Sequence, residues 1–178
     1  MRLFEKVTQA VALAALLGLA LMALAFAAGL RLNTSKSIAL GVYRLSDAPL
    51  QRGEAVLLCP PAQNAVFQRA LERGYIGIGD CPNGSQALGK RIAAMAGDRV
   101  SIDTQGVRVN GALWPLSKPR PVDLQGHPLP QIRLDNHRLN ENELLLMGDI
   151  NPNSFDSRYF GLVDRAHIQG VVRPVWTW

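Results

Sequence analysis

The sequence predicts a mainly β, antiparallel domain standing behind one N-terminal transmembrane helix. Two observations carry this expectation. Residues 10–30 form a single uncharged apolar run. From Gly41 onward the apolar residues fall in short, alternating groups separated by turn-forming residues, the pattern of half-buried strands.

Taken in order, residues 1–9 read as a short cytoplasmic N-terminus and residues 10–30 as the anchor. At ~1.5 Å per residue the run makes a helix roughly 31 Å long, matching a hydrocarbon core of about 30 Å. Arg2 and Lys6 flank its start, and Arg31 and Lys36 its far end. The weak bias of positive charge puts the N-terminus inside and residues 31–178 outside. The run is longer than the apolar part of a cleavable secretory signal, although Ala23-Leu24-Ala25 and Ala25-Phe26-Ala27 resemble cleavage sites. Either reading exports the remainder, which at about 145 residues is long enough for one domain with its own core.

Strands are expected at Gly41–Leu45, before the break at Ser46-Asp47-Ala48-Pro49, and at Ala55–Leu58. Residues 62–73 show an apolar stripe at helical spacing (Ala62, Val66, Ala70, Leu71), stopped by Gly74. Residues 91–114 read as one meander. It turns at Gly97-Asp98, at Asp103-Thr104-Gln105-Gly106 and at the hairpin signal Asn110-Gly111. Residues 115–131 carry five prolines and read as an irregular surface excursion. A buried strand is expected at Leu144–Met147 and a last one at Gly170–Val172, before Pro174.

Charge and cysteine content narrow the function. The formal net charge is +5, spread without basic runs, which disfavours nucleic acid and suits a face near anionic lipid headgroups. Cys59 and Cys81 are the only cysteines. In an exported domain they suggest one disulfide, with two separate buried thiols as the alternative. No histidine lies near either cysteine in sequence, so no metal site and no cofactor are implied.

Ser37, just past the apolar run, is a candidate nucleophile, and a serine needs a base. The three histidines, His127, His137 and His167, sit in segments without other catalytic-looking residues. Of the four lysines, Lys6 is on the cytoplasmic side, Lys118 lies in the proline-rich segment, and Lys36, in an extended segment, points away from Ser37. Lys90 enters an apolar strand near Ile92 and Met95, where desolvation lowers a lysine pKa. A dense polar stretch, Gly148-Asp149 through Asn153-Ser154-Phe155-Asp156-Ser157-Arg158, follows the expected buried strand. Taken alone it also reads as a surface turn held by an Asp156–Arg158 pair.

Together these segments resemble the type I signal peptidase family: a serine just outside the membrane, a Lys90-Arg91 pair opening a strand that ends in Gly97-Asp98, and the Asn153-Ser154-x-Asp156-Ser157-Arg158 loop. Asn33-x-Ser35-x-Ser37 followed by Gly41-x-Tyr43, the single anchor, the inter-cysteine insert and the small size are similar to the family's conjugal-transfer members. The resemblance implies a signal-peptidase-like β fold and a serine–lysine peptidase. In that scheme Ser37 is the nucleophile, Lys90 the general base and Asp156 an aspartate important for activity. Ser35 serves an oxyanion hole, Ser154 orients the lysine, and Arg158 holds the site with Asp156. It further implies a pilin precursor as substrate, joined head to tail by its own amino terminus, and a place in the bacterial inner membrane with the catalytic domain periplasmic. The alternatives are a general leader peptidase, which shares the site, and a non-catalytic scaffold of a secretion or pilus machine. One departure is visible: Ile38-Ala39-Leu40 holds no proline where the family usually has one, which predicts a less rigid turn at Ser37.

Overall fold

A computed structural model describes residues 2–178. Helix α1 spans Arg2–Ala27, and its stretch Phe4–Ala27 is long and apolar enough to cross a membrane, with a mean hydropathy of 2.5. From Phe4 onward its side chains are exposed apart from half-buried Ala25, and it meets the domain only at its last turn, where the Arg31 guanidinium stands 3.7 Å over the Phe26 ring. The helix stops three residues before the end of the apolar run. Gly29 adopts φ +82°, and Leu30 already belongs to strand β1, Leu30–Asn33.

The chain continues through β2 (Gly41–Ser46), β3 (Ala55–Leu58), helix α2 (Ala65–Glu72), β4 (Leu88–Ala94), β5 (Arg99–Asp103), β6 (Gly106–Val109) and β7 (Ala112–Leu113). It then forms β8 (Leu134–Arg138), β9 (Glu143–Met147), the one-turn helix α3 (Ser157–Phe160), β10 (Val163–Asp164) and β11 (Ile168–Thr177). All pairings are antiparallel. Seven strands line up as β1-β2-β11-β3-β4-β9-β10, and four as β7-β6-β5-β8.

The expected meander is therefore divided. β4 lies inside the larger sheet, whereas β5, β6 and β7 build the smaller one with β8, which the sequence reading left out. Strand β9 joins the two cores. Leu144 and Leu146 face one core with Val56, Leu58, Phe67 and Ile92. Leu145 and Met147 face the other with Val100, Ile102 and Val107. Alternating side chains both find apolar surroundings, which is why this strand is apolar at every position from 144 to 147.

Three further elements depart from expectation. Helix α2 begins later than residue 62: Asn64 caps it by accepting from Val66 N, and Phe67 with Ala70 forms its buried face. Strand β11 does not stop at Pro174. It runs on to Thr177 with a register shift between Pro174 and Trp176, where a bulge accommodates the missing donor. The proline-rich segment is not a free excursion, because Arg120, Asp123 and Leu129 line the same cleft as Ser37. A Cys59–Cys81 disulfide closes the insert that carries α2.

Candidate active site

Ser37 sits in the turn that follows β1, and that turn is organised by Asn33. Its Nδ2 donates to the carbonyls of Ser35 (2.9 Å), Ile38 (3.2 Å) and Ala39 (2.8 Å), while its Oδ1 accepts from the backbone N–H of Ser35. Ile38 is buried and packs on Gly89, where an added Cβ would come within 3.0 Å of its Cδ1. Tyr43 Oη donates to Ala39 O at 2.7 Å. The turn that lacks a proline is held instead by the Asn33 amide and the Tyr43 hydroxyl. Lys36 lies in this turn and not in an extended segment, and it is exposed to solvent.

Strand β4 supplies Lys90 on the same face as Leu88 and Ile92, next to the main core. Only 3% of the residue is exposed. Lys90 Nζ lies 2.6 Å from Ser37 Oγ and 3.0 Å from Ser154 Oγ, and the two hydroxyls are 2.9 Å apart. Burial pushes the Lys90 pKa down to about 8. The negative charges of Asp156 and Asp149 oppose that shift, and the positive charge of Arg158 adds to it. A substantial fraction of the amine is then neutral near pH 8, the condition for accepting a proton.

The loop after β9 brings Ser154 to this pair. Gly148 makes room for it, since a Cβ there would overlap Ser154 Oγ and Cβ. Asp149 N donates to Ser37 O at 2.9 Å, tying the loop to the serine turn, and the Asp149 carboxylate pairs with Arg91 at 2.6 Å. Below the loop lie Asp156 and Arg158, both fully buried and not on the surface as the alternative reading of this stretch had it. Arg158 Nε and Nη2 each donate to the Asp156 carboxylate at 2.8 Å. Its remaining side-chain bonds reach the carbonyls of Ser154, Pro152, Leu116 and, at 3.5 Å, Lys118. Asp156 Oδ2 also accepts from Gly148 N at 3.0 Å, and Ser157 Oγ from Leu146 N at 2.9 Å. The pair therefore holds the loop that carries Ser154, without touching Ser37.

Ser35 Oγ is exposed and donates to Asn33 Oδ1 at 3.0 Å, lining the same cleft. The histidines are engaged elsewhere: His127 with Asp123, His137 with Glu143, and His167 through its carbonyl with Cys59 N. Sequence reasoning gave no role to Asn33, Gly148 or Asp149. For Asn33 the signal was an amide two residues before a serine, a common local turn device. The cleft measures about 400 Å³, and Tyr43, Leu57 and Val172 give it an apolar lining beside the reactive groups. The arrangement is chemically suited to activating a hydroxyl toward an acyl carbon without a metal.

The family model described as signal peptidase, peptidase S26, matches residues 2–178. The chain is 46% identical over 177 residues to the plasmid transfer protein TraF of Escherichia coli, covering 99% of each chain. It is 37% identical over 160 residues to the conjugal transfer protein TraF of Agrobacterium tumefaciens (strain 15955), covering 89% of this chain and 88% of that one. Among solved structures, a signal peptidase I from Enterococcus faecalis V583 superposes with a TM-score of 0.42 at 20% identity, covering 72% of this chain and 100% of the other. With the family model matched from end to end and relatives aligned over nearly the whole length, this chain belongs to the signal peptidase S26 family.

Proposed function

We propose that this protein is a membrane-anchored serine–lysine peptidase of conjugal transfer that matures a pilin precursor. The observation that carries the reading is the buried Lys90 amine bonded to the hydroxyls of Ser37 and Ser154. Neutral Lys90 takes the Ser37 proton as Oγ attacks a peptide carbonyl. The departing amine leaves with that proton, and the acyl group stays on Ser37 as an ester. Water or a second amine then attacks the ester, gives its proton to Lys90, and Lys90 returns it to Ser37 Oγ. The Ser37 N–H and, after rotation away from Asn33, the Ser35 hydroxyl serve the developing oxyanion. Ser154 orients the amine, and Asp156 with Arg158 keeps Ser154 in place.

The names of the relatives support a role in plasmid transfer. In that role the attacking amine is the pilin's own amino terminus, and the product is a circle. Helix α1 anchors the enzyme in the bacterial inner membrane with residues 31–178 on the periplasmic side. The Cys59–Cys81 bridge supports an oxidising compartment. Co-expression with candidate pilin precursors tests the reading. Wild type yields a shortened, circular product, lighter by one water than the linear cleaved chain, and Ser37→Ala yields none. A linear product leaves hydrolysis alone, and equal cleavage of unrelated exported precursors points to a general leader peptidase.

A further inference from the structure

We infer that Arg120 is a carboxylate-recognition residue of the substrate cleft, selecting substrates that carry an acidic group close to the bond Ser37 attacks. The inference rests on the peptidase reading above.

The charges on the cleft wall are unevenly matched. Arg31, Lys36 and Arg120 line it beside Lys90, against a single carboxylate, Asp123. Asp123 is already engaged. Its Oδ1 accepts from the backbone N–H groups of Gln125 and His127, both at 2.8 Å. Its Oδ2 accepts from Tyr75 Oη and lies 3.0 Å from His127 Nδ1. Two partners on each oxygen use the lone pairs a carboxylate offers. Among the described residues, no acidic side chain stands within ion-pair distance of Arg31, Lys36 or Arg120.

These three cations differ in what they have left to donate. Arg31 is turned to the helix end, with Nη1 on the carbonyls of Phe26 and Leu30 and its guanidinium over the Phe26 ring. Lys36 is exposed, a point charge on a flexible stem. Arg120 is half-buried and held on several sides. Its N–H donates to Tyr159 Oη at 3.1 Å, and its carbonyl accepts from Gln131 Nε2 at 3.0 Å. Its Nη1 donates to Asn153 Oδ1 at 2.6 Å. Directly after it the chain folds back as a small hairpin: Leu129 N donates to Pro121 O and Asp123 N to His127 O, each at 2.9 Å. Arg73 Nη1 ties that hairpin to the disulfide-closed insert through Pro128 O. The backbone that carries Arg120 is fixed before any substrate arrives.

A guanidinium carries N–H donors on all three nitrogens. Among the described residues, the Arg120 guanidinium bonds only Asn153, and it does so through Nη1. Nε and Nη2 remain, the edge that meets a carboxylate with two parallel bonds. Asn153 immediately precedes Ser154, whose hydroxyl contacts both Ser37 and Lys90. The open edge of Arg120 thus belongs to the same wall as the reacting groups. A carboxylate held there comes from a substrate residue near the scissile bond, as an acidic side chain or as the end of the chain.

The test uses the full chain in phosphatidylcholine vesicles and peptides spanning the processing site of a candidate pilin precursor. In the first series, acetylated and amidated, one Glu is walked along both sides of the cleaved bond, each peptide being paired with its Gln counterpart. A second series has no acidic side chain and ends in a free or an amidated carboxyl at successive downstream positions. At one position wild type is expected to prefer Glu over Gln, or the free over the amidated end, by about tenfold in kcat/KM, mainly through KM. A gain in the first series identifies an acidic side chain, and a gain confined to the second identifies a chain terminus. Arg120→Gln should remove the preference. Arg120→Glu should reverse it, favouring Lys in the first series or the amidated end in the second. Because the ratio is taken within each variant, a general loss of activity cancels. A preference kept in Arg120→Gln, or none at any position in wild type, overturns the recognition role. So does an effect of Arg120→Gln that appears only when phosphatidylglycerol is added and is equal for charged and neutral peptides, which assigns the residue to lipid headgroups. Failure of wild type to cut any peptide, the Gln forms included, removes the peptidase reading and this inference with it.

Discussion

Two buried cations lie within one loop's reach of each other and have opposite fates. Lys90 and Arg158 are 3% and 0% exposed. Lys90 meets only neutral hydroxyls, so burial is left largely uncompensated and its pKa falls to about 8. Arg158 is also penalised by burial, but the hydrogen bonds and charge of Asp156 outweigh this and raise its pKa. Burial alone does not decide what a cation becomes. A neutral partner turns it into a base, and a carboxylate with several carbonyls turns it into scaffolding. The bidentate fork of Arg158 suits the second task, and the compact, easily shifted amine of Lys90 suits the first.

The comparison breaks most sharply at the reacting pair. Ser37→Ala and Lys90→Ala should each lower precursor processing by about 10⁴-fold or more, with melting temperatures close to wild type. Processing by Lys90→Ala at the wild-type rate would reject the dyad. Next, Arg158→Ala should destabilise by about 3–5 kcal/mol by stranding Asp156, read as a fall in urea midpoint, and Arg158→Lys should not restore the fork. A midpoint unchanged in Arg158→Ala would show that the pair is not the scaffold described here.

Smaller effects sharpen the same contrast. Replacing both Cys59 and Cys81 by Ala should cost about 3 kcal/mol in the chain-entropy view of a loop of this size, while chemical denaturation of Lys90→Met should show no comparable loss. Activity of wild type should rise with pH through about 8, as Lys90 loses its proton. Rates at pH 7 should stand at about one-tenth of the plateau. Stability follows with a defined sign. Between about 8 and the ordinary lysine value of 10.5 the unfolded chain holds a proton that the folded chain lacks. Folding free energy should therefore improve by about 3 kcal/mol across that window, and Lys90→Met should remove this slope. A flat activity profile from pH 7 to 9 would mean that Lys90 does not titrate there.

Much of this was legible in the chain because certain residues act locally. The alternation at Val100, Ile102, Val107 and Val109, and the Asn110-Gly111 turn, specify a hairpin wherever it sits. Leu144–Met147 declared a strand buried on both faces. What stayed hidden was decided by neighbours distant in sequence. Leu30–Asn33 begins on the last residue of the apolar run and is too short to announce itself, and only pairing with β2 makes it a strand. β8, Leu-Asp-Asn-His-Arg, is too polar to announce itself, and β5 recruits it as an edge. Pro174 signals an ending, but the pairing with β2 carries β11 past it. Within the site, the residue types at 37, 90, 154, 156 and 158 could be picked out because hydroxyls, a shielded lysine and an ion pair are chemically distinctive. That Asp156 and Arg158 lie beneath the surface goes with a hydrogen bond from Arg158 to the carbonyl of Leu116, a residue outside the loop, which the sequence of the loop does not show.

The space at position 148 has a genetic consequence. Gly148 has no left-handed backbone requirement, so an alanine there would be acceptable to the main chain; its methyl would simply occupy the volume of Ser154. Inactivating lesions should therefore arise at a residue with no reactive group of its own. A mutational survey scored by function would rank this codon beside those of the serine and lysine, while one scored by expression would pass over it.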